Sequence, residues 1–304
     1  MDAIDRYINY ISSVRRYSAR TCTIYRDVLE HFAEFSSPGD EDFSDVLNVN
    51  SIRAYEVSLM DNEKMSSRTV AQHLSVLSGF CRYLMKDGSL ASNPVRLVSR
   101  PKQEKRLPEF YRGSSMDSYL EETRGTAEFG SYDSMLSRLI ISILYSTGIR
   151  RSELISLDVA SVDFSRRTVR VRGKGDKVRE IPLLESLCAE IKTYLDVADA
   201  LFGDAFDSGS PLLRTRRGGR LYPVFIDRAV KKELSGVEGI SGRRSPHVLR
   251  HTLATGLLDS GADIYSIKEM LGHSSLAATQ VYTHNSIEKL QSAYEAAHPR
   301  AKKQ

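Results

Sequence analysis

The chain has 304 residues, 41% of them hydrophobic and 27% charged, with a net charge of +4 and a pI near 8.8. That length predicts about two domains with ample buried cores, and the mild basicity permits an anionic partner without demanding one. Three scattered cysteines (Cys22, Cys81, Cys188) without C-x2-C or His-paired spacing exclude a disulfide framework and a structural zinc site. The longest apolar run, "LIISILY" at 139–145, is too short to span a bilayer, and the N-terminus lacks an apolar signal core. These features predict a soluble, cytoplasmic protein with no membrane partner.

From 1 to 100 the apolar residues recur at helical spacing, as in "TCTIYRDVLEHFAEF" and "SSRTVAQHLSVLSGFCRYLMKDG", with serine starts and a stop at Gly88. A small all-helical domain is expected there. Its one dense acidic run, "GDEDFSD" at 39–45, is remote from every basic motif and reads as a solvated loop rather than a metal site. The stretch 93–110 carries three prolines and a basic run, the composition of a tether, and the linker is placed at 101–110.

The second domain, 111–304, opens with helices and then changes period at "RTVRVRGKGDKVREIPL". Val169 and Val171 alternate with Thr168, Arg170 and Arg172, a glycine-flanked turn follows, and a second strand ends at Pro182, which predicts a β-hairpin. Another small hairpin is expected at "RTRRGGRLYP", and "SPHVLRHTLATGLLDSG", "DIYSIKEMLGH" and "SSLAATQVYTH" read as three helices. The expected fold is mainly α: a helical N-terminal domain and a mostly α C-terminal domain with a small antiparallel sheet. No internal repeat stands out.

In "SPHVLRHT", Ser245 is a suitable N-cap and Pro246 fits the first helical position, so His247 and Arg250 share one face of the first turn. An anion would bind there, held by the helix N-terminus and a two-pronged arginine; a capped helix with a surface arginine is the plainer reading. In "STGIRRSELISL", Arg150 stands at a helix junction, where Glu153 or Asp158 offers it or Arg151 a structural ion pair. The hairpin tip "RGKGDK" carries Lys174 between two glycines; seven basic residues against two acidic ones between Phe164 and Ile181 favour a polyanion over a charged tip that blocks edge pairing. His273 follows the helix stop at Gly272, and Tyr282 lies about two turns into the next helix. Either one alone reads equally as an ordinary structural side chain.

Together these residues describe one chemistry. A phosphodiester under attack gains charge on its non-bridging oxygens, which two arginines and two imidazoles would stabilise. The same positive field lowers the pKa of a phenol and makes Tyr282 competent to attack, while Lys174 protonates the departing 5′ oxygen. The bond energy is kept in a phosphotyrosyl link, so neither ATP, a metal nor any other cofactor is required.

The ordered set Arg150, Lys174, His247, Arg250, His273 and Tyr282 in these contexts resembles the tyrosine recombinases, the phage-integrase-like family, and most closely its Xer-type members. The strings "TGIRRSEL", "VRGKGDKVREIPL", "SPHVLRHTLATGLLDSGADIYSIKEMLGHSSLAATQVYTH" and "HPRA" carry the resemblance. It implies a helical, SAM-like core-binding domain at 1–100 and a catalytic domain at 111–304. It further implies that Arg150 and Arg250 hold the scissile phosphate, His247 assists proton transfer, His273 supports the phosphate, Lys174 is the general acid and Tyr282 the nucleophile. The reaction implied is site-specific recombination of double-stranded DNA at a site with two half-sites, in chromosome dimer resolution or mobile-element integration and excision. The implied assembly is a homo- or hetero-tetramer, with the final helix docking on a neighbouring subunit and a second Xer-type recombinase as a candidate partner. A catalytically silent DNA-binding accessory protein and a type IB topoisomerase are the rival readings. Expected DNA contacts are Arg16, Arg20, Lys64 and Arg68 in the first domain and Arg243 and Arg244 in the second.

Overall fold

A computed structural model describes residues 3–36, 45–102, 110–129, 131–173, 176–203, 207 and 209–272. The chain forms two compact units, Met1–Arg106 and Leu107–Gln304. No helix among the described residues is long and apolar enough to cross a membrane.

Among its described residues the first unit has helices and no strand. Its helices are α1 (Ala3–Asn9), α2 (Ala19–Ser36), α3 (Val49–Val57) and α4 (Ser67–Asp87). The serine and glycine signals set the bounds of α4, because the Ser66 hydroxyl accepts from the Thr69 N–H at 3.2 Å and Gly88 closes the helix at φ 80°. Leu29, Phe32, Ile52, Tyr55, Leu74, Leu77 and Phe80 form the centre of the core, all fully buried.

Contrary to the reading of the sequence, one local structure occurs twice. Helices α1 and α3 each widen into a π turn, at Tyr10–Val14 and Ser58–Asn62. A basic residue in left-handed conformation follows in each case, Arg16 at φ 52° and Lys64 at φ 54°. The next helix is then capped by a serine, with Thr21 donating to Ser18 and Thr69 to Ser66, both at 3.2 Å. The shared pattern is a basic residue, then serine, then Arg-Thr ("RYSART" and "KMSSRT"). It was concealed because the wide turn comes from backbone bonds slipping by one residue, not from side-chain periodicity.

A polar chain crosses this core. The Tyr55 hydroxyl lies 2.8 Å from Nδ1 of both His31 and His73, donating to one ring and accepting from the other, and His31 Nε2 meets Glu63 at 3.3 Å. Burial, reinforced by His31, holds the His73 imidazole below its ordinary value. A depressed histidine binds fewer protons folded than unfolded, so its contribution is full above the ordinary value near 6.5 and is lost as the pH falls below it. Tyr55→Phe strands the buried ring nitrogen of His73 and takes a partner from the half-buried His31, and is expected to cost about 1–3 kcal/mol, read by urea unfolding at pH 7.5.

The second unit is built around α7 (Tyr132–Thr147), which is buried at every position from Arg138 to its end and packs against α9 (Glu185–Phe202), α10 (Pro223–Glu233) and α11 (Pro246–Asp259). Shorter helices α5 (Gly113–Glu122), α6 (Arg124–Phe129), α8 (Arg151–Ile155) and α12 (Ile264–Leu271) complete it. The sheet has order β1-β2-β3, antiparallel, with β1 at Val162–Asp163, β2 at Thr168–Arg172 and β3 at Val178–Pro182. In the expected hairpin, Thr168 pairs with Pro182 and Arg172 with Val178. Val169, Val171 and Ile181 face the core, and Arg170 and Arg172 face out.

The second expected hairpin, at "RTRRGGRLYP", reduces to a single bridge between Arg214 and Arg220. Its flanks are drawn elsewhere: the Leu212 N–H donates to the Leu157 carbonyl, and the Arg220 guanidinium grips the carbonyls of Ile155 and Leu157 and the carboxylate of Asp158.

Candidate functional site

The site begins where α7 stops. Gly148 ends the helix at φ 62°, and a Cβ there would lie 2.5 Å from a Leu271 methyl, so both backbone conformation and close packing require glycine. The chain then re-enters a helix through Arg150, the residue preceding α8. Glu153 accepts from the Arg150 backbone N–H at 2.7 Å and from its Nη1 at 2.8 Å. The ion pair foreseen as a structural alternative therefore forms, yet the Arg150 side chain keeps 40% of its surface exposed. Arg151 pairs with Asp227, and Asp158 with Arg220.

Glu153 is the buried counter-charge of the site. Besides Arg150 it accepts two bonds from Arg179, at 3.0 and 2.8 Å. Burial pushes its carboxyl up, but the hydrogen bonds from Arg179 and the Arg150 backbone, with the Arg179 charge, outweigh this and hold it at about 2.

Three guanidinium groups then converge on the end of α12. Arg179 Nε donates to the Met270 carbonyl at 2.8 Å, Arg250 Nη2 to Leu271 at 2.6 Å and Arg150 Nη2 to Gly272 at 2.9 Å. These are carbonyls that a helix C-terminus leaves without intrahelical partners. Arg250 also donates to the Gly148 carbonyl at 2.7 Å, which ties together the two segments carrying the arginines. Burial first, then the charges of Arg150 and Arg179, lower the Arg250 pKa to about 10. It remains a cation at neutral pH.

Beside this cluster lies a cavity of about 460 Å³ lined by Arg150, Arg151, Lys231, Arg243, Arg244, His247 and Arg250, with Asp227 as its one carboxylate among the described residues. The N-terminus of α11 forms part of the wall. Pro246 takes the first helical position as expected, but Ser245 caps through its carbonyl, which accepts from the N–H groups of Val248 and Leu249. Its hydroxyl makes no capping bond and is instead a buried polar atom without a partner among the described residues, at the cavity wall. An unpaired buried hydroxyl, a helix N-terminus and an excess of cations together specify an anion.

His247 and Arg250 both reach this cavity, as their spacing predicts. The His247 Nε2 lies 3.0 Å from that of His251, and burial, His251, Arg250 and Arg243 hold His247 below its ordinary value. It is therefore neutral at neutral pH and suited to carry a proton. Arg244 is half-buried and spends its guanidinium on the carbonyls of Leu234 and Ile240. Arg243 is exposed, and its carbonyl accepts from the Tyr111 hydroxyl. Lys174, His273 and Tyr282 lie outside the described residues. Arg16, Arg20, Lys64 and Arg68 belong to the first unit, exposed at its two equivalent corners.

Sequence reasoning missed Arg179 and His251, and it treated Glu153 only as a pairing partner. Register held a signal for the first: Arg179 is the cross-strand partner of Val171, which is fully buried, so β3 places a guanidinium on the core face.

Residues 119–289 match the family profile described as Phage integrase family, and residues 4–88 match Phage integrase, N-terminal SAM-like domain. Among curated relatives, the chain is 34% identical to a tyrosine recombinase XerC of Pseudomonas aeruginosa over 99% of this chain and 95% of that protein. It is also 34% identical to a tyrosine recombinase XerC of Bacillus subtilis, over 97% and 95%. Its fold is similar to that of the Tn1549 transposon integrase in complex with a circular intermediate DNA (TM-score 0.70, 19% identity, 97% of this chain and 95% of that one). A similar likeness holds to the XerH site-specific recombinase bound to a palindromic difH substrate (TM-score 0.70, 19% identity, 94% and 79%).

Proposed function

The chain belongs to the phage integrase family and is a tyrosine-type site-specific DNA recombinase, and from that premise we propose that it cuts and rejoins strands through a covalent 3′-phosphotyrosyl intermediate on Tyr282. The observation that carries this reading is the cationic cavity where Arg150, His247 and Arg250 meet at the N-terminus of α11.

In this mechanism Arg150 and Arg250 hold the non-bridging oxygens of the scissile phosphate, and the Ser245 hydroxyl gains the partner it lacks. The Tyr282 oxygen attacks phosphorus, giving up its proton with His247 assisting, and the bond to the 5′ oxygen breaks. Lys174 protonates that leaving oxygen, while His273 supports the phosphate. Attack by a 5′ hydroxyl of the recombining strand reverses the step and releases the tyrosine. One ester replaces another at each stage, so the chemistry draws on neither ATP nor a metal ion.

Arg16, Arg20, Lys64 and Arg68 are proposed phosphate contacts, a role favoured by the recurrence of one exposed basic corner in the first unit. Arg243 and Arg244 are proposed contacts of the second. The working assembly is proposed to be a cytoplasmic tetramer on a site with two half-sites, built from this chain alone or with a second Xer-type recombinase.

The test uses a duplex site selected from random sequence and nicked so that the cleaved strand cannot be religated. Incubation with excess chelator and no nucleotide is expected to accumulate an adduct that survives SDS. An adduct that forms only with added divalent metal overturns the metal-independent mechanism, and efficient relaxation of plasmids lacking the site shifts the assignment to a topoisomerase.

A further inference from the structure

A second cavity, of about 320 Å³, lies within the first unit and takes no part in the mechanism above. Five tyrosines line it: Tyr7, Tyr10, Tyr17, Tyr25 and Tyr83. The rings form a continuous set, with centroids 5.2 Å apart for Tyr7 and Tyr83, 5.1 Å for Tyr10 and Tyr83, 6.3 Å for Tyr7 and Tyr25, and 5.8 Å for Tyr17 and Tyr25. Tyr7 is the floor, 4% exposed, and its hydroxyl makes no hydrogen bond to any described residue. Tyr17 stands at the mouth, 38% exposed.

The rim is cationic. Arg15, Arg82 and Lys86 are exposed at the cavity, and no carboxylate among the described residues lines it. Lys86 is held over the Tyr10 ring, 5.6 Å from its centroid, and donates to the Tyr10 hydroxyl at 3.3 Å. Acidic residues nearby in sequence are turned elsewhere: Asp5 pairs with Arg26, and Asp87 accepts from the Ser89 N–H. Neither Arg15 nor Arg82 has an ion-pair partner among the described residues.

A purely structural tyrosine cluster would leave no ring-lined space and would bond its innermost hydroxyl. This one leaves a ring-lined space with an unbonded hydroxyl at its base and three cations at its edge. Aromatic faces beside a basic track form a surface for bases that have left a helical stack, because every base offers a π face and brings a phosphate with it. A paired base has its faces covered by its neighbours, so an intact duplex does not fill such a space. Burial pushes the Tyr7 phenol well above its ordinary value, which keeps its proton in place for a base carbonyl or ring nitrogen.

We propose that this cavity binds one unpaired nucleotide of a DNA single strand, its base stacked among Tyr10, Tyr17, Tyr25 and Tyr83 and its phosphate held by Arg15, Arg82 and Lys86. The site is separate from the proposed recombination chemistry, and it stands whether or not Tyr282 is the nucleophile.

The experiment uses the full chain and a fluorescein-labelled single-stranded dodecamer, read by anisotropy at fixed salt. The same dodecamer with abasic residues and an acidic, tyrosine-containing peptide serve as competitors. The chain has no tryptophan, so quenching of its tyrosine emission gives an independent signal. Tyr17→Ala and Arg82→Gln alter exposed side chains and leave the core intact; each is expected to weaken single-strand binding about tenfold. Duplex binding is expected to be unchanged in both. The abasic strand is expected to compete about tenfold more weakly than the normal one. Equal affinity of the variants and the parent overturns the proposal. So does equal competition by the abasic strand, an equal loss of duplex binding, absence of single-strand binding, or displacement of the labelled strand by the peptide as efficiently as by the normal strand.

Discussion

Tyr282→Phe is expected to bind its duplex site with unchanged affinity and to form no covalent adduct. Removing one oxygen atom deletes the proposed nucleophile while leaving the ring, the charge and the cationic cavity as they were. Loss of a covalent nucleophile costs at least on the order of 10⁴-fold in rate. The nicked duplex, end-labelled and resolved in SDS, reports the adduct; a mobility shift on the same duplex reports binding. Tyr265, on α12 and 71% exposed, provides the control, and Tyr265→Phe is expected to behave as the parent does. An undiminished adduct in Tyr282→Phe rejects the assignment, and a failure to bind DNA in that variant rejects the separation of binding from chemistry.

Glu153→Gln is expected to destabilise the second unit by about 3–5 kcal/mol, the usual cost of breaking a buried ion pair on one side. The carboxylate accepts four bonds from Arg150 and Arg179, and a glutamine offers one oxygen and turns an NH2 group toward the same donors. Arg179 then remains as a buried cation without a counter-charge.

The pH dependence has a definite sign. Glu153 is held at about 2, below its ordinary value of 4.5, so its contribution is complete above 4.5 and is lost as the pH falls toward 2. Thermal unfolding from pH 7 to pH 3 is therefore expected to show a wide gap between parent and variant at neutral pH that narrows below 4.5. A gap constant across that range rejects Glu153 as the ionised centre of the cluster.

Much of this architecture is legible in local patterns. Ser66 and Gly88 bound α4, Pro246 starts α11, and alternation along β2 fixes which of its residues face the core, because caps and pleats act over a few residues. What escapes is set by contacts across the chain. Strand register places Arg179 on the inward face, but that it meets Glu153 there depends on a helix junction far earlier in the chain. Ser245 has the right residue type for a cap, but the cavity, not the helix, decides where its hydroxyl lies. The π turns escape because no side-chain pattern distinguishes them from the ends of ordinary helices. Convergence of Arg150 with Arg250 was carried by family resemblance, and the bonds through Gly148 and α12 supply its physical basis.

The grip of three guanidinium groups on the carbonyls of Met270, Leu271 and Gly272 has a thermodynamic corollary. Two of those cations are also the ones proposed to receive the scissile phosphate, and the polypeptide runs directly from Gly272 into the segment bearing His273 and Tyr282. An incoming phosphodiester and the tail of α12 therefore draw on a common set of N–H donors. Linkage makes the bargain mutual: whatever substrate does to the fastening of that tail, altering the fastening must do in equal measure to substrate affinity.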